Sequence, residues 1–513
     1  MRAYRGLTFS DLAARRLDWF ACMCLLTQPA IRAVGPARIA AASVETEVAA
    51  GPLPITFRLT NDRYPYRIHS MSIDHANQTG TFALGEANHD GLYRKVTVRL
   101  ITLFFLCYFA AYLDRINIGL AKLQMLDALG FSDSIYGLGA GLFFAGYIAF
   151  EIPSNLILQK VGAKVWIARV MITWGILSGA TMLVKTPVQF YVVRFLLGVA
   201  EAGFVPGVLL YLSQWFPYNR RARVVALFMI GIPLSSLIGN PISGWLMNVM
   251  DGVRGLGGWQ WLFLLEALPP VVLGGFVLWW LPNSIEKTPW LDTGEKQTLL
   301  ASLDDHVGGE RLSSLPHVFT DKRLWILGLI DVCIMIGVYA TSFWLPSILR
   351  DTGVRDPFEI GLWMGIPNAA AVISMLLCGW SSDRASERRW HMAVPCLVAG
   401  CGLFLAAVMP HTTGMTVLLF SLINAGAAAT IPVIWTLPPT FLKGTGAAAG
   451  IAMITSLANL GGFIGTSVLG WLRDQFHSQS AGLYGFGVCM LIGCILALSY
   501  PADKVESSLR EPA

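Results

Sequence analysis

The sequence predicts an all-α membrane protein of twelve transmembrane helices, arranged as two pseudo-symmetric six-helix halves. Three observations carry this reading. Only 13% of the 513 residues are charged and 55% are hydrophobic, whereas soluble domains carry roughly 25% charged residues. Twelve windows of about 20 mostly apolar residues follow one another, each long enough to cross a bilayer core. Finally, details of the first six windows recur in the last six.

The expected spans fall near 100–121, 136–158, 166–185, 189–213, 223–247 and 260–282 in the first half. After a hydrophilic central loop over 283–323, six more fall near 324–349, 359–380, 390–409, 414–436, 444–470 and 482–501. The two halves are therefore 95–282 and 324–501, with a tail over 502–513. "GFSDSIYG" (130–137) precedes the second span and "GVRDPFEIG" (353–361) precedes the eighth. Gly137 and Gln159 are 22 residues apart, as are Gly361 and Asp383. Repeated halves of this kind build many secondary transporters, with the site at the midplane between them.

Lys and Arg in short loops set orientation. They cluster after the second span (Lys160, Lys164), the fourth (Arg220, Arg221, Arg223) and the eighth (Arg384, Arg388, Arg389). Loops of the other parity carry few, such as Lys122, Lys185 and Arg254. Both termini and the central loop are expected in the cytoplasm, the membrane being a bacterial-type inner membrane. Residues 1–94 contain no spanning run. The patch "WFACMCLLT" (19–27) is too short to span, and no small-residue cleavage site marks it as a signal peptide. This segment reads as a disordered extension or a misassigned start, with Met71 one alternative start.

The net charge of +5 is modest, and no basic tract interleaved with aromatics points to nucleic acid. Of nine cysteines, Cys107, Cys333, Cys378, Cys396, Cys401, Cys489 and Cys494 sit in apolar runs without metal-ligand spacing. They read as small buried hydrophobes. No Ser/His/Asp or phosphate-loop pattern marks an enzyme, so no metal and no cofactor is expected.

Four blocks carry a family resemblance: "YLDRINIGLA" (112–121), "FEIPSNLILQKVGAKVWIARVMITWG" (150–175), "RFLLGVAEAGFVPGVLLYLSQWFP" (194–217) and "NLGGFIGTSVLGWL" (459–472). Over about residues 95–500 the chain resembles the anion:cation symporter family of the major facilitator superfamily, in its bacterial tartrate- and phthalate-permease-like branch. The resemblance implies the major facilitator fold, alternating access and proton-coupled uptake of organic carboxylates. The chain departs from the pattern at Gln159, where the loop motif is acidic, and at Thr455, where the family often has Asn. The second motif copy keeps Gly379, Asp383 and Arg384.

Charges inside a span cost at least about 2.5–3.5 kcal/mol each on insertion scales, so they mark function by default. At 1.5 Å per residue, Asp114 and Arg115 lie about 21 Å along the first span. Entering from the opposite side, Arg194 lies about 8 Å and Glu201 about 18 Å down the fourth. Arg194 and Glu201 are seven apart and share a face. If the two helices face one cavity, two guanidiniums and two carboxylates converge there. Arginine grips a carboxylate bidentately, so Arg115 and Arg194 are expected to bind the substrate anion. Carboxylates in a poorly solvated cavity hold protons near neutral pH, so Asp114 and Glu201 are expected to couple the proton. The resemblance places the same roles on the same four positions.

Tyr147 is deep enough in the second span to line the cavity, while Glu151 on the same face is expected to tie the gate. Asp383 and Arg384 are expected to form a conformational latch, and Glu266 to hold the bundle. In the second half, Tyr339, Asn368, Asn424, Trp435, Thr455 and Asn459 lie at plausible depth. The resemblance places Trp435 and Thr455 in the cavity, and Asn459 joins them as a candidate contact. Asp331 has no role in this reading. The function expected is symport of a small carboxylate, such as a tartrate-like, aromatic or sugar acid, by a monomer in the lipid bilayer, with the proton as coupling ion. The alternatives are an anion exchanger and, from another class, a ligand sensor that moves nothing.

Overall fold

The computed structural model describes residues 73–304, 320–385, 387–438, 442, 444–476 and 480–501. The patch at 19–27 and Met71 lie outside them. Among the described residues, twelve helices are long and apolar enough to span a membrane: Asp90–Leu129, Asp133–Val161, Ala163–Leu183, Pro187–Ser213, Leu227–Val249 and Gly258–Trp280, then Lys322–Asp351, Pro357–Ala385, Arg389–Val408, Thr413–Thr436, Ala449–Phe476 and Ser480–Ser499. They are spans 1 to 12 below. No strand is assigned among the described residues.

Local sequence explains the helix starts. Ser132 accepts from the Ile135 amide to cap span 2, Thr412 does the same for Met415 in span 10, and Thr186 with Pro187 opens span 4. Such caps satisfy donors that no intrahelical partner reaches. Pro153, Pro346, Pro367, Pro395 and Pro432 lie within helices, which neighbouring helices make tolerable in a membrane. Outward faces are apolar, as Val272, Leu377, Ile495 and the highly exposed Trp279 show. A bilayer is the solvent that suits such a surface.

Two elements differ from the sequence reading. Span 1 begins about ten residues earlier than expected, because Asp90–Arg99 is polar enough to escape a hydropathy window yet forms helix readily. The central loop contains a helix, Thr293–Asp304. It docks on the first half: Lys95 pairs with Glu295 at 2.7 Å, Tyr93 bonds Ser302 at 2.5 Å, and Trp290 stacks on Trp215 beneath Arg99. Leu291 and Leu299 are buried there. Its few apolar residues stay hidden in a run that is polar on average.

The halves meet at the end carrying the span 1–2, 5–6, 7–8 and 11–12 connections, the odd-loop end. Two glycine seams close it. Between spans 2 and 11, a Cβ on Gly137 would strike the Thr466 carbonyl, and one on Gly470 the Asp133 carbonyl. Between spans 8 and 5, Gly361 meets the Asn240 carbonyl and Gly244 that of Pro357. Each glycine thus packs on the residue four before the opposing glycine, and the two seams repeat each other as the halves do. Small residues permit such close backbone approach.

Ion pairs overlie the seams. Lys122 is 1% exposed, pairs with Asp133 at 2.6 Å, and lies 3.6 Å over Trp344 and 4.7 Å over Tyr136. Arg473 reaches Asp133 at 3.2 Å and Asp351 at 2.9 Å, and Arg350 reaches the Leu123 carbonyl at 2.9 Å. Asp474 accepts from the Ser134 amide at 2.8 Å. The Lys122 that the sequence reading counted as a loop charge is a buried cross-half contact.

Candidate functional site

Span 4 is not one helix. Its first segment, Pro187–Glu201, ends at Ala202 (ψ 127°) and Gly203 (φ 92°), and a second segment, Phe204–Ser213, follows. A positive φ of this size suits glycine. The break is held from span 2, where Ser154 donates to the Ala202 carbonyl at 2.6 Å and receives Trp166 Nε1 at 3.0 Å. Glu201 is therefore the last residue before a midspan interruption, the kind of place where transporters bind ligands.

Arg115 comes to Glu201 from span 1. Its Nη2 donates to Glu201 Oε1 in a buried ion pair, and its Nη1 donates to the Tyr339 hydroxyl of span 7 at 3.2 Å. The guanidinium also lies 5.6 Å from the Tyr147 ring and 5.2 Å from that of Phe143. Arg194 lies 5.2 Å from the same Phe143 ring. One aromatic ring is thus flanked by both guanidiniums, a favourable cation–π arrangement. Arg194 is fully buried, and its Nε and Nη2 have no partner. Phe144 packs on Tyr339 at 4.6 Å and closes the second-half side.

Asp114 does not join this group. Consecutive helical residues point about 100° apart, and Asp114 faces span 3. There it accepts from Trp174 Nε1 and Ser178 Oγ, each at 3.0 Å. Three of the four expected charges converge; the fourth sits behind them.

Glu151 of span 2 crosses to span 11, accepting from Thr455 Oγ1 at 3.0 Å and Ser456 Oγ at 2.6 Å. Thr455 therefore faces Glu151 and not the arginines. Asn459 is buried one turn along and Trp435 is half-buried in the last turn of span 10. Neither makes a hydrogen bond or ring contact with the arginine group among the described residues. At the end of span 8, Asp383 accepts from Arg388 at the start of span 9 at 2.6 Å, and Arg384 lies 5.5 Å from the Trp380 ring of its own helix. Asp331 is 1% exposed, and neither carboxylate oxygen has a partner.

Sequence reasoning overlooked Phe143, Phe144 and the break after Glu201. The "EAGFVPG" stretch held a signal, glycines with a proline directly after an intramembrane carboxylate. No group of three or more His, Cys, Asp or Glu that would suit a metal occurs among the described residues.

Two six-helix halves with a broken midspan helix and buried charges where they meet form the kind of architecture on which secondary membrane transporters are built. The model of the Major Facilitator Superfamily matches residues 104–466, and the chain belongs to that superfamily. It is 50% identical over 433 residues to "Putative metabolite transport protein NicT" of Pseudomonas putida, covering 84% of this chain and 99% of that one. It is 46% identical over 407 residues to a "Putative tartrate transporter" of Agrobacterium vitis, covering 79% and 90%. Among solved structures, it is similar to the xylose transporter XylE from E. coli in a partially occluded inward open conformation. That match has a TM-score of 0.65 and 13% identity, and covers 80% of this chain and 98% of that one; it speaks to fold alone. A transporter, not an enzyme, is the class these relatives define.

Proposed function

We propose that the protein is a proton-coupled symporter of a small organic carboxylate. One observation carries this reading: Arg194 is fully buried with two unpartnered nitrogens, beside an Arg115 already paired with Glu201. An unpaired guanidinium in a membrane interior is costly, and an anionic ligand would offset that cost. Arg115 can pair with Glu201 or with substrate, but not fully with both. A proton on Glu201 releases Arg115, and both guanidiniums then turn to one carboxylate ligand across the Phe143 ring. Deprotonation of Glu201 draws Arg115 back and expels the anion. Occupancy of proton and substrate is thereby linked through a single exchange of partners.

The tartrate transporter named among the relatives supports a hydroxy-dicarboxylate or a similar acid. The Lys and Arg bias of the loops supports an odd-loop end outside the cell and both termini inside, in the inner membrane of a bacterial-type cell. In this assignment the closed end is the outer one, and Glu151 with Asp383 and Arg384 serve the inner gate.

Uptake of labelled mono- and dicarboxylates, tartrate among them, into proteoliposomes tests the reading. An inside-alkaline gradient should drive accumulation, and a protonophore should abolish it. Uptake that ignores the gradient but responds to internal substrate would define an exchanger instead.

A further inference from the structure

The break in span 4 is written into its own sequence, and span 2 completes it. In a continuous helix the Ala202 carbonyl would receive the amide four residues ahead, and that residue is Pro206. Proline has no N–H, and its ring crowds the carbonyl four residues back. The Ala202 carbonyl therefore turns out of the ladder where the chain bends at Gly203. Pro206 itself falls in the first turn of Phe204–Ser213, where an amide would have had no intrahelical partner anyway. A buried carbonyl needs a donor from somewhere. It comes from Ser154, which is 5% exposed and lies 2.6 Å away.

The direction of this bond is fixed. An indole N–H can only donate, and Trp166 Nε1 donates to Ser154 Oγ at 3.0 Å. The one hydroxyl hydrogen of Ser154 is thus left for the Ala202 carbonyl. The fit is close: a Cβ on Gly203 would strike the Ser154 hydroxyl and lie 3.2 Å from Trp166 Nε1. Arg169 lies 3.8 Å from the Trp166 ring and packs the indole in place. One turn before the break, spans 2 and 4 meet main chain to main chain. A Cβ on Gly198 would strike the Phe143 carbonyl, and one on Gly146 the Phe195 carbonyl. Gly198 lies between Arg194 and Glu201 in the chain. Span 2 therefore fixes the stretch that carries both charges at its middle and just beyond its end.

We propose that Ser154 is a positioning residue of the site: by donating to the carbonyl that Pro206 leaves without a partner, it holds the break that aims Glu201 at Arg115. It acts through the backbone, one residue beyond the carboxylate. With the hydroxyl removed, the Ala202 carbonyl and Trp166 Nε1 both lose their partner, the break loosens, and Glu201 no longer faces the guanidinium squarely. The use of this aim in transport rests on the proton-coupled reading above; the aim itself does not.

A double-mutant cycle on the thermal stability of the full-length protein in lipid tests the aim without any substrate. In the native background, Arg115→Gln and Glu201→Gln together should lower Tm by less than the sum of the two. Each alone leaves its partner buried and unpaired. In a Ser154→Ala background the two effects should simply add. If Ser154→Ala lowers Tm but the pair still fails to add, Ser154 only packs, and the proposal is overturned. Pro206→Ala sharpens the test, because it returns an amide to the Ala202 carbonyl. Added to Ser154→Ala, it should recover Tm and leave the Arg115–Glu201 coupling absent, and it serves where Ser154→Ala alone does not fold. Recovery of the coupling together with Tm, or no recovery of Tm, overturns the proposal. In proteoliposomes given the labelled carboxylates used above, Ser154→Ala should lose gradient-driven accumulation and keep counterflow. Coupling lost with accumulation normal would mean that transport does not use the aimed pair. If wild-type protein accumulates no carboxylate under the gradient, the symport reading fails, and the stability cycle alone decides the aim.

Discussion

In the first six spans Asp114, Arg115, Lys122, Glu151, Arg194, Glu201 and Glu266 are all buried; in the last six, among the described residues, the buried charged side chain is Asp331 alone. The two halves otherwise repeat one another, down to their glycine seams. Repetition of a helix layout therefore constrains where backbones meet and leaves the chemistry free to diverge. What the second half offers at the midplane is neutral: the Tyr339 hydroxyl to Arg115, and Thr455 and Ser456 to Glu151. The bonds between halves there join a charge to an uncharged partner. Each is worth about 1.5–3 kcal/mol. Breaking a buried ion pair by removing one partner costs about 3–5 kcal/mol. A rocking motion can part the first kind while the Arg115–Glu201 pair rides within one half.

The largest effect should come from the charged half. Arg194→Lys keeps the charge and loses the planar fork. Substrate binding should weaken by about 1.5–3 kcal/mol, roughly 10- to 150-fold in Kd, with normal insertion. Equilibrium binding on purified protein checks this, and unchanged affinity would remove Arg194 from the anion site. Arg115→Lys should weaken binding less, since Glu201 competes for that group before substrate arrives.

Next in size is Glu201→Gln. The neutral side chain mimics the protonated state, so accumulation under a pH gradient should disappear while binding and counterflow persist. Normal gradient-driven accumulation in this variant would clear Glu201 of the coupling role. A structural role alone predicts less folded protein and no selective coupling defect, so expression is measured on the same preparations.

A smaller and symmetric effect is expected at the seams. Gly470→Val and Gly244→Val each put a side chain against a carbonyl of the other half. Both should destabilise the closed odd-loop end to a similar degree. A cysteine placed at Ser467, half-buried at one seam, should react faster with a polar thiol reagent in the Gly244→Val background. Altered reactivity from only the nearer substitution would show that the seams act separately.

The smallest effect should come from Asp331→Asn in the neutral half. Its carboxyl has no partner to lose, so stability should change by no more than about 1 kcal/mol, with transport intact. Loss of coupling in this variant would break the contrast between the halves, because it would put proton chemistry in the second one.

Much of this was legible in the chain. Twelve apolar runs and matched spacings are local patterns, and Asp114–Arg115, Arg194 and Glu201 stand out because charge in a span is costly. Partner choice was not legible. Only packing shows that Arg115 turns to Glu201 while Asp114, one residue away, turns to Trp174 and Ser178. Phe143 is an aromatic in an apolar run until two guanidiniums are seen against it. Lys122 lies at a helix end where a solvated loop charge is the ordinary case, and only tertiary contact brings Trp344 and Tyr136 over it.

The two glycine seams have a mechanical consequence. Gly137 with Gly470, and Gly361 with Gly244, are contacts of main chain against main chain, related by the same internal two-fold. No long side chain pads either one, so neither has slack to stretch before it parts. A rigid tilt of one half that lifts one pair must lift the other at the same moment. The mouth then behaves as a toggle with two bearings on a single axle, and no half-open position has a seat of its own.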